Sequence, residues 1–334
     1  MTTPHAGRVH PDQALFDGEK AVPFIPACEH FAGSEKLMRK ALMLQLEMGP
    51  VFDITCDCED GAATGSEAEH VRMVARLIAS DDNQHRQMGV RIHDPQSPHW
   101  RDDVDALVGG AGDRVAYITV PKSLGVDDAR RVIDYIRERA IRERTGREIP
   151  MHLLVETHGA LADAKAMAAL PNLQVLDFGL MDFISAHQGA LGFSAMRSPL
   201  QFEHPLVVRA KTEVVAAALA HGVVPAHNVS LNLKDTKATF DDASRARHQF
   251  GFLRMWSIYP AQIAAIVQAM RPADAEVQQA EAILLAAQAA HWGPISHEGD
   301  LHDRATYRYF WNVLRQAHAQ GSALGADARA AFFS

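Results

Sequence analysis

The chain has 334 residues, 47% of them hydrophobic, and a formal net charge of −8 at pH 7. This length suffices for one large domain with a substantial core, and the acidic balance argues against a nucleic-acid or membrane-surface binder. Three cysteines are too few for a disulfide framework. The sequence shows neither a signal-peptide pattern nor an apolar run near the roughly 18 residues that a membrane span needs. We therefore expect a soluble, cytoplasmic protein with a small-molecule partner.

Apolar strand-like runs alternate along the chain with stretches of helical period. The predicted strands cover residues 22–25, 51–58, 89–93, 115–120, 150–155, 175–178, 223–230 and 252–258. The predicted helices include residues 34–48, 127–139, 206–221, 261–270 and one that the capping-box pattern of Ser66 and Glu69 opens. Eight such units in about 270 residues match an α/β fold of the (β/α)8 TIM barrel type. A doubly wound parallel sheet is the alternative fold.

The composition changes after Pro272, which divides the chain into a barrel domain over residues 1–272 and a C-terminal helical arm over residues 273–334. The arm begins with an Ala- and Gln-rich helix over 274–290, continues in a loop over 291–302 and ends in an aromatic amphipathic helix. It is predicted either to form a helical hairpin on its own barrel or to cover the active site of a neighbouring subunit.

Five short motifs follow predicted strands. They lie at residues 56–61, 90–93, 120–122, 154–157 and 178–182, and each carries acidic or basic side chains. Because the loops after the strands of a (β/α)8 barrel converge on one face, charged residues at these positions typically build an active site. The pattern therefore predicts an enzyme.

Glu156 and Asp182 each follow an apolar strand, and these strands are predicted to be adjacent. Carboxylate oxygens are the hard ligands that Mg²⁺ prefers, and Gly179 lets the backbone approach a ligand closely. The alternative is that each acid caps the helix that follows it. Taken together, the two residues favour a metal site.

Arg91 and Lys122 place positive charge at the same predicted mouth. The planar Arg91 guanidinium is suited to a substrate carboxylate or a developing enolate oxygen, and its alternative role is a surface salt bridge. Lys122 has the same two interpretations.

The segment 56–60 places three carboxylates beside two cysteines. Alternation puts Asp57 and Glu59 on one face of the strand and the cysteines on the other, where the thiols are expected to pack. So many acids at a strand end repel one another unless a cation lies nearby. Glu59 and Asp60 are therefore predicted either to contact a metal through water or to hold the nearby basic side chains in place.

These motifs resemble those of the HpcH/HpaI aldolase and citrate lyase β-subunit superfamily, and most closely its citrate-lyase-β-like branch with the malyl-CoA lyases. The resemblance covers residues 22–262 and resumes in the tail. It implies a (β/α)8 barrel with Mg²⁺, or alternatively Mn²⁺, held by Glu156 and Asp182. It also implies that Arg91 binds the carboxylate and oxygen of a 2-oxo acid.

The resemblance carries three further catalytic candidates. Glu59 and Asp60 match an acidic pair beside the metal and its waters. In the tail, Asp303 matches an aspartate that reaches the site of an adjacent subunit and takes part in the acid–base step. A homo-oligomer, trimer or hexamer, is implied.

The Glu59-Asp60 form points to the acyl-thioester branch, because the aldolases that act on free acids typically have Glu-His there. The implied reaction is reversible cleavage of a 3-hydroxy-acyl-CoA thioester, such as malyl-, citramalyl- or citryl-CoA, to an acyl-CoA and a 2-oxo acid. Two alternatives stay open: a metal-dependent aldolase acting on a free 4-hydroxy-2-oxo acid, and a lyase-complex subunit that needs a carrier-protein partner.

Three residues depart from the pattern of this branch, and one of them is Glu67, which stands near a position where the family often has lysine. Lys20 stands where an arginine is usual and is expected, with Lys122, to bind substrate, although lysine lacks the bidentate fork. Tyr259 replaces a histidine and brings a phenol of much higher pKa.

Overall fold

The computed structural model describes residues 9–16 and 22–333. The chain divides into two compact units, Pro26–Met270 and a second unit that joins Met1–Ile25 to Arg271–Ser334. No helix in the described part of the chain is long and apolar enough to cross a membrane.

Pro26–Met270 contains a closed barrel of eight parallel strands in sequential order. The barrel closes where the first strand pairs with the last, with Cys28 opposite Met255. This closure confirms the (β/α)8 prediction and excludes the doubly wound sheet. The strands are β1 (Cys28–Ala32), β2 (Phe52–Asp57), β3 (Met88–Arg91), β4 (Ile118–Val120), β5 (Met151–Val155), β6 (Leu173–Phe178), β7 (Val224–His227) and β8 (Arg254–Ser257).

Helices follow the strands and bury apolar faces against the barrel. In α2, for example, Val71, Val74 and Ile78 recur at helical spacing and are fully buried. The helices of this unit are α1 (Glu35–Met48), α2 (Glu67–Ala79), α3 (Trp100–Ala111), α4 (Val126–Arg142), α5 (His158–Ala162), α6 (Ala164–Ala168), α7 (Leu180–Ser185), α8 (Pro205–Ala220), α9 (Thr236–Arg245) and α10 (Pro260–Met270).

The predicted capping box of α2 is wrong. Ser66 precedes the helix, but its ψ of 35° is not extended and its side chain makes no capping hydrogen bond. The Glu67 carboxylate accepts a hydrogen bond from the Gly65 N–H at 2.7 Å instead.

The predicted first strand, over residues 22–25, is also wrong. Pro23 and Pro26 have no N–H to contribute to a ladder, and the strand lies further along, at Cys28–Ala32, where all five residues are buried. The polar residues Glu29 and His30 hide this strand from a hydrophobicity pattern. They are accommodated because Arg254 lies 3.0 Å from Glu29 and Ser257 lies 2.8 Å from His30.

The second unit has its own core, built around Leu284, Tyr307, Trp311 and Leu314. A two-stranded hairpin occupies part of the predicted loop over 291–302, and Glu298 and Gly299 turn it with φ of +51° and +92°. Two consecutive positive φ values are typical of a tight hairpin turn. The elements are α11 (Asp274–Ala289), β9 (Ile295–His297), β10 (Asp300–His302), α12 (Arg304–Ala319) and α13 (Ala326–Phe332).

Candidate active site

The structure brings together six of the predicted site residues at the carboxyl ends of β2 to β6. Several of them line one cavity of about 310 Å³ at the mouth of the barrel. Each stands where a strand ends or just beyond it, because parallel strands of one barrel deliver their carboxyl ends to a common face. The six residues are Glu59, Asp60, Arg91, Lys122, Glu156 and Asp182.

Glu156 is only 2% exposed. Its carboxylate is positioned by a hydrogen bond from the loop after β4 and not by contacts with α5, the helix that follows it. Its Oε1 accepts a hydrogen bond from the Lys122 N–H at 2.7 Å, and Lys122 has a left-handed backbone with φ of +46°. Thr157 performs the capping of α5, accepting a hydrogen bond from the Ala160 N–H at 3.0 Å. The contacts of Glu156 therefore differ from those of a helix cap.

Gly179 sits against the Glu156 carboxylate. A Cβ at this position would lie 2.2 Å from Glu156 Oε2, a separation that no side chain tolerates. The glycine thus allows the start of α7, with Asp182 in its first turn, to pack beside Glu156.

The electrostatics of this pair fit a divalent cation. Burial, reinforced by the neighbouring Asp182, raises the pKa of Glu156 to about 8, against the opposing effect of Arg91. Two carboxylates in one partly dry site repel each other, and a bound cation relieves that repulsion. Because the donors are oxygens, the pair suits Mg²⁺, and Glu156 and Asp182 are the residues that would hold it.

Removing divalent cations with a chelator is expected to make stability depend on the ionisation of Glu156. Its pKa of about 8 exceeds the ordinary 4.5, so the folded state binds this proton more tightly than the unfolded chain. The resulting stabilisation is complete below pH 4.5 and is lost as the pH rises to about 8. Each tenfold difference in proton affinity corresponds to about 1.4 kcal/mol.

Thermal unfolding of the chelated protein between about pH 5 and 8 measures this effect. We expect the melting temperature to fall with pH relative to that of the Glu156→Gln variant, whose amide does not titrate in this range. A constant difference between the two proteins across the range would contradict the assignment.

Arg91 is fixed by a partner that was not assigned from the sequence. Its Nε and Nη2 donate to the two carboxylate oxygens of Asp57 at 2.8 and 2.5 Å, and its Nη1 lies 3.3 Å from Glu59 Oε2. Burial opposes the charge, but Asp57 outweighs it and raises the pKa of the Arg91 guanidinium above its usual range. Arg91 is therefore an oriented, permanently charged group and not a surface ion pair.

Asp57 also organises the loop that follows β2. Its oxygens accept hydrogen bonds from the N–H groups of Glu59 and Gly61 at 3.1 and 2.9 Å. In the sequence, only the position of Asp57 at the end of a strand indicates a functional role. Its pairing with Arg91 depends on the register of β2 and β3, in which the two residues are direct partners.

Lys122 neutralises the acidic group at the mouth. Its Nζ binds Glu59 at short range, lies 2.6 Å from Asp60 and is 3.8 Å from Asp182. Of the two roles predicted for Glu59 and Asp60, these contacts correspond to the second, in which the two acids hold a nearby basic side chain in place. Side-chain hydrogen bonds to Asp60 and Glu59 outweigh burial and raise the pKa of Lys122.

The wall of the cavity is mainly apolar, and sequence reasoning did not find it. Leu180 and Met181 belong to the motif at residues 178–182, but the other positions fall in apolar runs or in loops that no polar motif marks. The apolar lining residues are Phe31, Leu180, Met181, Met196, Val229, Leu231, Trp256 and Ile258.

Three other predicted site residues are not among these six. Lys20 falls outside the described residues. Asp303, in the second unit, caps α12 by accepting a hydrogen bond from the Ala305 N–H at 2.9 Å, and its acid–base role stays a prediction. Tyr259 follows β8, is 37% exposed, and donates its backbone N–H to Gln262.

Comparison with known proteins gives matches that span most of the chain. The model of the HpcH/HpaI aldolase/citrate lyase family matches residues 37–260. The L-malyl-CoA/beta-methylmalyl-CoA lyase of Rhodobacter capsulatus is 26% identical over 293 residues, covering 84% of this chain and 91% of the relative. A citrate lyase subunit beta-like protein of Deinococcus radiodurans is 26% identical over 275 residues, covering 79% and 89%.

Two solved structures share the fold. A citrate lyase from Burkholderia xenovorans LB400 is 52% identical with a TM-score of 0.86, covering 98% of this chain and 100% of that one. The protein CitE of Mycobacterium tuberculosis, solved with magnesium, acetoacetate and coenzyme A, is 19% identical with a TM-score of 0.67, covering 88% and 98%.

Proposed function

The chain belongs to the HpcH/HpaI aldolase/citrate lyase family and is a carbon–carbon lyase, and from this premise we propose that it cleaves a 3-hydroxy-acyl-CoA thioester. The products are an acyl-CoA and a 2-oxo acid. The observation that carries the proposal is the carboxylate pair of Glu156 and Asp182 in the same cavity as the oriented guanidinium of Arg91.

Mg²⁺ held by Glu156 and Asp182, with Mn²⁺ as an alternative, would supply Lewis-acid polarisation of the two oxygens of the 2-oxo acid portion. Arg91 binds the substrate carboxylate, since Asp57 takes two of its five N–H donors and fixes the plane of the group. Because Asp57 orients Arg91 before substrate arrives, no reorganisation is needed as negative charge develops.

The reaction needs two proton movements. The substrate hydroxyl loses its proton as the carbon–carbon bond breaks, and the bonding electrons move into a thioester enolate. The enolate carbon then takes a proton from a positioned acid. In this proposal the Glu59–Asp60 carboxylate pair accepts the proton of the substrate hydroxyl, and Asp303 of a neighbouring copy in a homo-oligomer supplies the proton that the enolate carbon takes.

Relatives support the thioester class of substrate. Two features of the comparisons bear on it: one curated relative is an L-malyl-CoA/beta-methylmalyl-CoA lyase, and one structural neighbour was solved with coenzyme A. Lys122 is proposed to contact the substrate at the mouth, and Lys20 is proposed as a second substrate-binding residue.

The test is release of a 2-oxo acid from malyl-, citramalyl- and citryl-CoA, with Mg²⁺ and with EDTA, alongside free 4-hydroxy-2-oxo acids. We expect metal-dependent release from at least one thioester and little from the free acids. Release from the free acids alone would show that the protein is an aldolase acting on free acids. The absence of release from every substrate would contradict the proposal.

A further inference from the structure

A second group of potential metal ligands lies inside the barrel, deeper than the candidate active site. Glu29 on β1, His152 on β5 and Asp177 on β6 each offer a ligand atom, and these atoms lie within 4.8 Å of one another. β1 is not a neighbour of β5 or β6 in the barrel, so the side chains meet by pointing into its interior. His152 is the second residue of β5, whereas Glu156 follows the end of that strand.

His152 is oriented as a metal-bound histidine usually is. Its Nε2 lies 3.1 Å from Gln174 Oε1, to which it donates, and its ring stacks on Tyr117 with the centroids 3.8 Å apart. Its Nδ1 is buried without a hydrogen-bond partner and lies 3.7 Å from Glu29 Oε2. A ligating histidine typically donates its other ring N–H to an oxygen in this way, which fixes the tautomer and frees the ligand lone pair.

Asp177 is held in the same manner. Its Oδ1 accepts a hydrogen bond from the Trp256 indole N–H at 2.7 Å, while its Oδ2 is buried with no partner. Two fully buried side chains of this group thus each carry a polar atom that has no hydrogen-bond partner. Leaving such atoms unsatisfied is expensive, so an occupant is expected.

The charges call for a cation. Three buried carboxylates, those of Glu29, Asp53 and Asp177, surround one guanidinium, Arg254, which lies 3.0 Å from Glu29 and 2.6 Å from Asp53. The carboxylates of this buried group therefore outnumber the guanidinium by two, and a divalent ion bound among them would balance the two charges.

We propose that Glu29, His152 and Asp177 form a structural divalent-cation site inside the barrel, separate from the Glu156–Asp182 pair. One imidazole nitrogen and two carboxylate oxygens suit a first-row transition ion such as Zn²⁺ or Mn²⁺. The site ties β1 to β5 and β6 across the barrel. It also anchors Trp256, which lines the cavity at the mouth, through Asp177.

The test uses the Glu156→Gln/Asp182→Asn double variant, which lacks the ligands at the mouth. The full-length protein is produced in medium supplemented with Mn²⁺ and dialysed against EDTA. Metal content is measured by mass spectrometry, and histidine ligation by ¹⁴N coupling in pulsed electron paramagnetic resonance. We expect about one Mn²⁺ per chain with a histidine ¹⁴N coupling, which the carboxylates at the mouth cannot produce.

His152→Gln in the same background is expected to lose both the ion and the coupling, whereas His248→Gln, at an exposed histidine, retains both. The double variant decides the question even if His152→Gln does not fold. Absence of bound metal, or bound metal without ¹⁴N coupling, would overturn the proposal and assign the excess charge to bound protons. Neither readout uses turnover, so the result is independent of the proposed function.

Discussion

Glu156→Gln is expected to reduce metal-dependent turnover by at least ~10²–10³, because removing one preorganised electrostatic group commonly has that effect. The amide keeps the shape of the side chain and can still accept the 2.7 Å hydrogen bond from the Lys122 N–H. It removes the negative charge that a hard cation requires. The measurement is kcat/KM for the thioester substrate as a function of Mg²⁺ concentration.

The matched control is Glu47→Gln, the same chemical change at an exposed position on α1. This variant should keep the activity of the wild type. Full metal-dependent turnover in Glu156→Gln would show that the cation is held elsewhere and would invalidate the ligand assignment.

Arg91→Met is expected to lose activity and stability together. The change leaves Asp57 buried without its partner, and breaking a buried ion pair in this way typically costs ~3–5 kcal/mol. It also removes the guanidinium proposed to bind the substrate carboxylate. We expect the free energy of unfolding in urea to fall by about that amount and kcat/KM to fall by at least ~10².

A double variant separates the two effects. Asp57→Asn combined with Arg91→Met removes the stranded charge and should recover part of the stability but none of the activity. Arg130→Met, at an exposed arginine whose pairing with Asp127 is a surface contact, is the control and should change neither quantity appreciably. Recovery of activity in the double variant would show that Arg91 serves only to neutralise Asp57.

The sequence was sufficient for the fold wherever strands are apolar on both faces. β5, with the sequence Met-His-Leu-Leu-Val, was recognised because its one polar residue is surrounded by apolar ones. β1 was missed because Glu29 and His30 interrupt its pattern. Their burial depends on Arg254 and Ser257, more than two hundred residues away in the chain, and no local pattern reports such a pairing.

The same distinction separates the predicted and missed parts of the site. Glu156 and Asp182 were predicted as site residues because an acidic residue at or soon after the end of an apolar strand is conspicuous in the sequence. The pairing of Arg91 with Asp57 was not, since it depends on the register between two strands. The interior group around His152 was missed because its members lie within strands. In a sequence pattern, a polar residue at such a position only interrupts the apolar run and does not indicate a site.

For engineering of this barrel, the contact between Gly179 and Glu156 means that one residue at the mouth cannot be substituted, whereas other residues of the cavity wall can. The added carbon of even an alanine would occupy the volume of the carboxylate. Met181 and Ile258 line the same cavity and are 46% and 42% exposed, so libraries aimed at a different substrate can be concentrated on them. Position 179 is best left as glycine in every member of such a library.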